Sequence, residues 1–210
     1  MKFLKPCFQF GFMKKFIAIF VVIAAVSAGL YFGKSQGQKA NTASVLGSQQ
    51  IASITSSPPV TKVGIPTHLS IPTIHLETNV EQVAQDAQGR MDVPKKVEDV
   101  GWYDLGYRPG ASGNAVMAGH LDTQTGAPAV FWNLSKLKKG DQIIVTNENG
   151  EKHTFEVIDK QNYPYNDFPL VKVFGPSDKK MLNLITCQGT WDKASHNYSN
   201  RTVVFAESVE

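Results

Sequence analysis

Cys187, His120 and Arg201 are the side chains of this sequence best suited to covalent chemistry. A thiolate attacks carbonyl carbon readily, and an imidazole can pass a proton to the amine that leaves. A guanidinium can hydrogen-bond the oxyanion formed between those steps; losing one such donor typically costs about 2.7–4 kcal/mol. Each residue stands at an end of a predicted strand. His120 follows the run 114–119, Cys187 follows Leu182-Asn183-Leu184-Ile185-Thr186, and Arg201 precedes Thr202-Val203-Val204-Phe205-Ala206. Strand ends hold side chains rigidly and leave them open to a ligand. The set suits acyl transfer through a thioester, although sequence position alone does not bring the three together.

His196, in the polar segment 188–200, is the rival base, while His68, His75 and His153 need no special role. Trp191 and Tyr198 of the same segment either wall a cleft or pack. Asp86-Ala87-Gln88-Gly89 reads as a solvated turn, with calcium binding by its acids the weaker alternative. No His/Cys/Asp cluster has zinc spacing, and neither a phosphate loop nor a dinucleotide fingerprint is present. No metal and no cofactor are therefore expected.

The elements that must position these residues read as mostly β: short runs rich in β-branched residues, separated by Gly, Pro, Asn and Asp. The clearest hairpin joins 142–146 to 153–158 through Asn149-Gly150, a pair that tolerates positive φ. Further strands are predicted at 69–74, 115–118, 182–186 and 202–206. One short helix is predicted from near Pro128 through Phe131, Leu134 and Leu137, ending before Gly140. Many short strands with few helices imply a barrel or a sandwich.

Charge divides the chain in two. Six lysines and no acid occupy the first 60 residues; the other 150 carry fifteen Lys and Arg against eighteen Asp and Glu, a net −3. A slightly acidic domain argues against nucleic acid as a partner. Residues 16–33 are 18 in number and uncharged. As a helix they would span roughly 27 Å, close to the hydrocarbon thickness of a bilayer. Four lysines precede them, which keeps residues 1–15 in the cytoplasm. Two readings are open, an uncleaved signal-anchor or a signal peptide cut near Val26-Ser27-Ala28, and in both the rest of the chain is exported. Residues 34–60 are polar and small and read as a flexible linker, with a domain over 61–210. Cys7, the only other cysteine, would then lie across the membrane from Cys187, which argues against a disulfide joining them.

Gly119-His120, Leu184-Ile185-Thr186-Cys187 and Asn200-Arg201-Thr202-Val203-Val204 resemble, in order and separation, the three signatures of sortases. Sortases are membrane-anchored cysteine transpeptidases of bacterial surfaces. Val100-Gly101-Trp102-Tyr103, Arg108-Pro109-Gly110, Gly119-His120-Leu121-Asp122, Pro128-Ala129-Val130-Phe131 and Val173-Phe174-Gly175-Pro176-Ser177-Asp178 look most like class F, and classes D and E share much of this pattern. The resemblance covers about residues 65 to 207.

It implies an eight-stranded sortase-type β-barrel with short helices, behind a single N-terminal transmembrane helix. It implies that Cys187 attacks the Thr carbonyl of an LPxTG-like sorting signal, with His120 as acid and base and Arg201 at the oxyanion. Thr186 would be a substrate-binding residue beside Cys187. Asp122 would orient His120 or remain an exposed loop carboxylate. Implied partners are surface proteins with C-terminal sorting signals and an amine of the peptidoglycan precursor, at the membrane of a Gram-positive-type envelope. Two other functions fit the same residues less well: a cysteine endopeptidase that hydrolyses the motif, and a non-catalytic tethered domain that binds peptides or wall glycan.

Overall fold

The computed structural model describes residues 63–210. The expectations for residues 1–15, 16–33 and 34–60 lie outside these. Among the described residues, no helix is long and apolar enough to cross a membrane.

Eight strands form one closed barrel: β1 Pro66–Ile71, β2 Leu76–Val83, β3 Val100–Tyr103, β4 Gly113–Ala118, β5 Gln142–Asn147, β6 Lys152–Pro164, β7 Lys180–Asp192 and β8 Asn197–Ser208. Their order around the barrel is β1-β2-β3-β4-β7-β8-β6-β5. Neighbours run antiparallel except β2–β3 and β4–β7, which are parallel. Closure leaves no unpaired sheet edge.

Side-chain alternation explains where the apolar residues go. Leu69, Ile71, Ile143, Val145, Phe155, Val157, Leu182, Leu184, Val204 and Ala206 point into the barrel and are fully or almost fully buried. The intervening residues of three strands are buried too. Val116, Ala118, Ile185, Val203 and Phe205 form an outer cluster with Val83, Met91 and Val173. Strands β4, β7 and β8 are thus covered on both faces, so they read in the sequence as unbroken apolar runs. The cover includes the short helix α1, Leu170–Phe174. Asn183, fully buried, fastens it by donating to Val173 O at 2.7 Å and to Asn114 Oδ1 at 3.1 Å. Asn114 in turn donates to Gly175 O at 2.8 Å.

Three local expectations change. The predicted strand over 69–74 stops at Ile71, because Pro72 cannot donate to the ladder, and a 3-10 turn follows over Pro72–Ile74. The predicted helix after Pro128 is a run of turns ending in a 3-10 helix, Leu134–Lys136. Its bonds Leu134 N to Phe131 O and Leu137 N to Leu134 O span three residues. Phe131, Leu134 and Leu137 are fully buried at a spacing of three, the period of a 3-10 helix rather than 3.6. In the β5–β6 hairpin only Gly150 takes positive φ, at 80°, while Asn147 Oδ1 accepts from the backbone of Asn149 and Glu151.

Candidate active site

The sheet pairs Cys187 with Arg201 and ends the strand before His120 alongside them. In the parallel pair β4–β7, Ala118 is registered with Ile185. His120 and Cys187 each lie two residues further on along their chains. Gly119 N donates to Ile185 O at 3.1 Å, and Thr186 Oγ1 donates to Gly119 O at 2.9 Å, so the pairing persists past the end of β4. On the other side of β7, Cys187 is the registered partner of Arg201. Directly opposed residues project from one face. That face is the outer one, because Cys187 follows Ile185, and Arg201 precedes Val203, by two residues. The stripe that buries apolar side chains under α1 therefore ends in Cys187 and Arg201.

Gly119 allows the chain to close over this point. A Cβ there would meet the Phe131 ring at 2.6 Å and Val130 at 2.8 Å. The segment carrying those residues is bound back to the site by Phe131 N, which donates to His120 O at 2.9 Å.

His120 is partly buried, with Nε2 3.4 Å from Pro94 O. A carbonyl only accepts, so this contact puts the proton on Nε2 and leaves Nδ1 as the basic nitrogen. Burial holds the imidazole below the ordinary histidine range, with the Pro94 carbonyl and the charge of Asp122 opposing that shift. The described hydrogen bond of His120 is with Pro94; Asp122 accepts instead from Tyr198 Oη at 2.5 Å and acts on His120 through its charge.

Arg201 is only 2% exposed, and its described partners are neutral. Nη1 donates to Tyr198 O at 3.2 Å and Asn200 O at 2.9 Å, and Nη2 donates to Asn197 Oδ1 at 2.7 Å. The guanidinium carbon lies 4.6 Å from the centre of the Tyr165 ring. Burial lowers its pKa to about 10, which leaves it charged at neutral pH. Among the described residues no carboxylate forms an ion pair with it. A buried cation held only by dipoles retains its capacity to stabilise an anion that forms beside it.

Cys187 is 6% exposed and is disulfide-bonded; the expectation for Cys7 lies outside the described residues. Nucleophilic chemistry at Cys187 belongs to the reduced protein, because only a thiolate attacks carbon. Thr186 is 3% exposed, and its hydroxyl is committed to Gly119 O, just past the end of β4.

The family model described as the Sortase domain matches residues 69–209. The chain belongs to the sortase family. Sortases are cysteine transpeptidases, and this is an enzyme of that kind. Its fold is similar to that of sortase C-1 from Actinomyces oris, at 24% identity over 69% of this chain and 71% of that one, with a TM-score of 0.54. It is also similar to a lid mutant of sortase A from Corynebacterium diphtheriae, at 24% identity over 73% of this chain and 74% of that one, with a TM-score of 0.53. Sortase C1 from Streptococcus agalactiae aligns at 21% identity over 74% and 72% of the two chains, with a TM-score of 0.54. Among curated protein sequences none matches this sortase significantly.

Other sequence candidates fall away from the site. His196 lies in the turn that joins β7 to β8, at the tip of the hairpin, exposed and edge-on to Trp191 at 6.4 Å. From Cys187 to Asp192 the strand climbs about 16 Å, too far for His196 to exchange a proton with the sulfur. Asp86 is bound to Arg90 at 2.7 Å and closes a turn with Gly89. Asn197, Pro94 and Tyr165 support the site but carried no sequence signal. They act through one carbonyl, one amide oxygen and one ring face, each placed by tertiary packing.

Proposed function

We propose that this sortase cleaves an LPxTG-like sorting signal and transfers the acyl part to an amine of the cell wall, with Cys187 as nucleophile. The observation that supports this most is that Cys187 on β7 is the registered partner of Arg201 on β8, while β4, which ends two residues before His120, pairs with β7 on its other side. The Cys187 thiolate attacks the Thr carbonyl carbon, and the carbonyl oxygen takes the negative charge, which Arg201 stabilises. The C–N bond to glycine then breaks while His120, as imidazolium, gives its proton to the leaving amine. The thioester keeps the activation that hydrolysis would discard. An incoming amine loses a proton to His120 and attacks the thioester, which expels the thiolate. Thr186 contributes beside Cys187 by holding the strand end that bears His120.

Residues 16–33 anchor the protein with residues 1–15 in the cytoplasm, and residues 34–60 tether the domain outside the cell. The Gly119-His120-Leu121-Asp122 and Val173-Phe174-Gly175-Pro176-Ser177-Asp178 stretches favour class F.

The full chain is incubated, under reducing conditions, with an LPxTG-type peptide and an amine acceptor. Mass spectrometry should find an acyl adduct on Cys187 and a ligated product, and Cys187→Ala should abolish both. Equal behaviour of wild type and variant overturns the proposal. Hydrolysed product alone, whatever the amine, identifies an endopeptidase instead.

A further inference from the structure

One hydrogen bond joins the two halves of the site across 76 residues of sequence: Tyr198 Oη donates to Asp122 Oδ2 at 2.5 Å. Tyr198 is fixed at every other point as well. Its N–H donates to Asn197 Oδ1 at 3.0 Å, the same oxygen that receives Arg201 Nη2. Its carbonyl accepts from Arg201 Nη1. Its ring packs edge-on to Trp191, with centroids 5.2 Å apart. Asp122 sits two residues past His120, at the neck of a loop closed by its bridge to Pro128 and by Thr123 N donating to Ala127 O at 2.8 Å. The phenol thus ties the backbone that holds the guanidinium to the loop that carries the imidazole.

We propose that Tyr198 is a positioning residue, which through Asp122 fixes the His120 loop and moderates the carboxylate charge felt by the imidazole. This rests on the reading of His120 as the acid and base of the reaction. A carboxylate left without its donor would lie unscreened near the ring and would favour imidazolium more strongly. With the donor in place, Asp122 steadies the charged form without claiming the ring by a direct hydrogen bond. The groups described acting on the His120 ring are Pro94 O from segment 84–99 and the Asp122 carboxylate on its own loop. Tyr198 contacts both that carboxylate and the support of Arg201. Burial and the bond to Asp122 push the Tyr198 phenol up to about 12, so it stays a donor throughout the working pH range.

The test is a double-mutant cycle on the full chain in reducing buffer, using Tyr198→Phe, Asp122→Asn and both together. The His120 titration is followed by NMR of labelled histidine rings, assigned with His120→Gln. Asp122→Asn should lower the midpoint, and Tyr198→Phe should raise it by about half a unit. Adding Tyr198→Phe to Asp122→Asn should change nothing further. In peptide cleavage, Tyr198→Phe should lower kcat several-fold with KM within about twofold. No shift, a downward shift, or an equal shift in both backgrounds overturns the proposal. So does a raised KM with unchanged kcat, which would make Tyr198 a wall of the peptide cleft. If Tyr198→Phe does not fold, Asp122→Asn reads the contact from the other side: an unmoved midpoint overturns it. The titration uses no peptide, so its failure is separate from failure of the transpeptidase reading, which the Cys187 adduct tests.

Discussion

Cys187 and Arg201 are registered partners across β7 and β8, on the outer face of the barrel, where an apolar stripe meets a buried guanidinium with neutral partners. The antiparallel pairing holds the two side chains at a spacing set by the backbone rather than by a loop. A reaction that builds negative charge next to the sulfur therefore builds it next to a fixed cation.

Arg201→Lys tests that relationship. Lysine keeps a charge but has no planar fork to reach Asn197 Oδ1 and the Tyr198 and Asn200 carbonyls together. We expect kcat/KM for peptide cleavage to fall about 100-fold or more, as when an oxyanion donor is removed. Rates within a factor of a few of wild type would exclude Arg201 from oxyanion stabilisation.

Thr186→Val removes a hydroxyl with little change in shape. Gly119 O then loses its bond from Thr186, and the strand end bearing His120 loosens. A stability loss of about 1–2 kcal/mol in urea unfolding is expected, with a fall in kcat. Unchanged unfolding and unchanged turnover would show that the bond contributes nothing.

Asn183→Ala should act on stability. It leaves Val173 O and Asn114 Oδ1 without their donor in a fully buried place, at a cost of about 1–3 kcal/mol. Since α1 is tied down through these groups, proteolysis within 170–175 should quicken in the variant. A midpoint equal to wild type would contradict this account of how α1 is held.

The pH dependence of stability follows from His120. Its pKa is lowered on folding from the ordinary 6.5, chiefly by burial. The unfolded chain therefore binds more protons in the window between the lowered value and 6.5. Stability rises with pH across that window and declines as pH falls through it. His120→Gln should flatten this part of the curve, as measured by urea unfolding from pH 7 downward. A slope identical to wild type would assign the acid sensitivity to other groups.

Much of this was legible in the sequence, for reasons particular residues make plain. The runs 69–71, 115–118, 182–186 and 202–206 are rich in apolar and β-branched residues, and Asn149-Gly150 marks the turn between 142–146 and 153–158, so six of the eight strands announce themselves locally. Strand β2 did not, because Glu77, Thr78, Asn79, Glu81 and Gln82 make it polar, and β3 has only four residues. Their pairing, not their composition, makes them strands. The helix after Pro128 was misread because a spacing of three satisfies both helix types until the hydrogen bonds are seen.

By itself, the sequence determined the chemistry: which residue types are present, that they follow the order of the sortase signatures, and that strand runs lie next to them. Only the tertiary structure decided their company. Register places Arg201 opposite Cys187 and pairs β4, the strand before His120, with β7, burial leaves the guanidinium among dipoles, and a phenol from β8 holds the carboxylate after His120. These are long-range pairings between residues up to 76 positions apart. Such contacts are selected by barrel closure and packing of the whole chain, and no local pattern of residues encodes them.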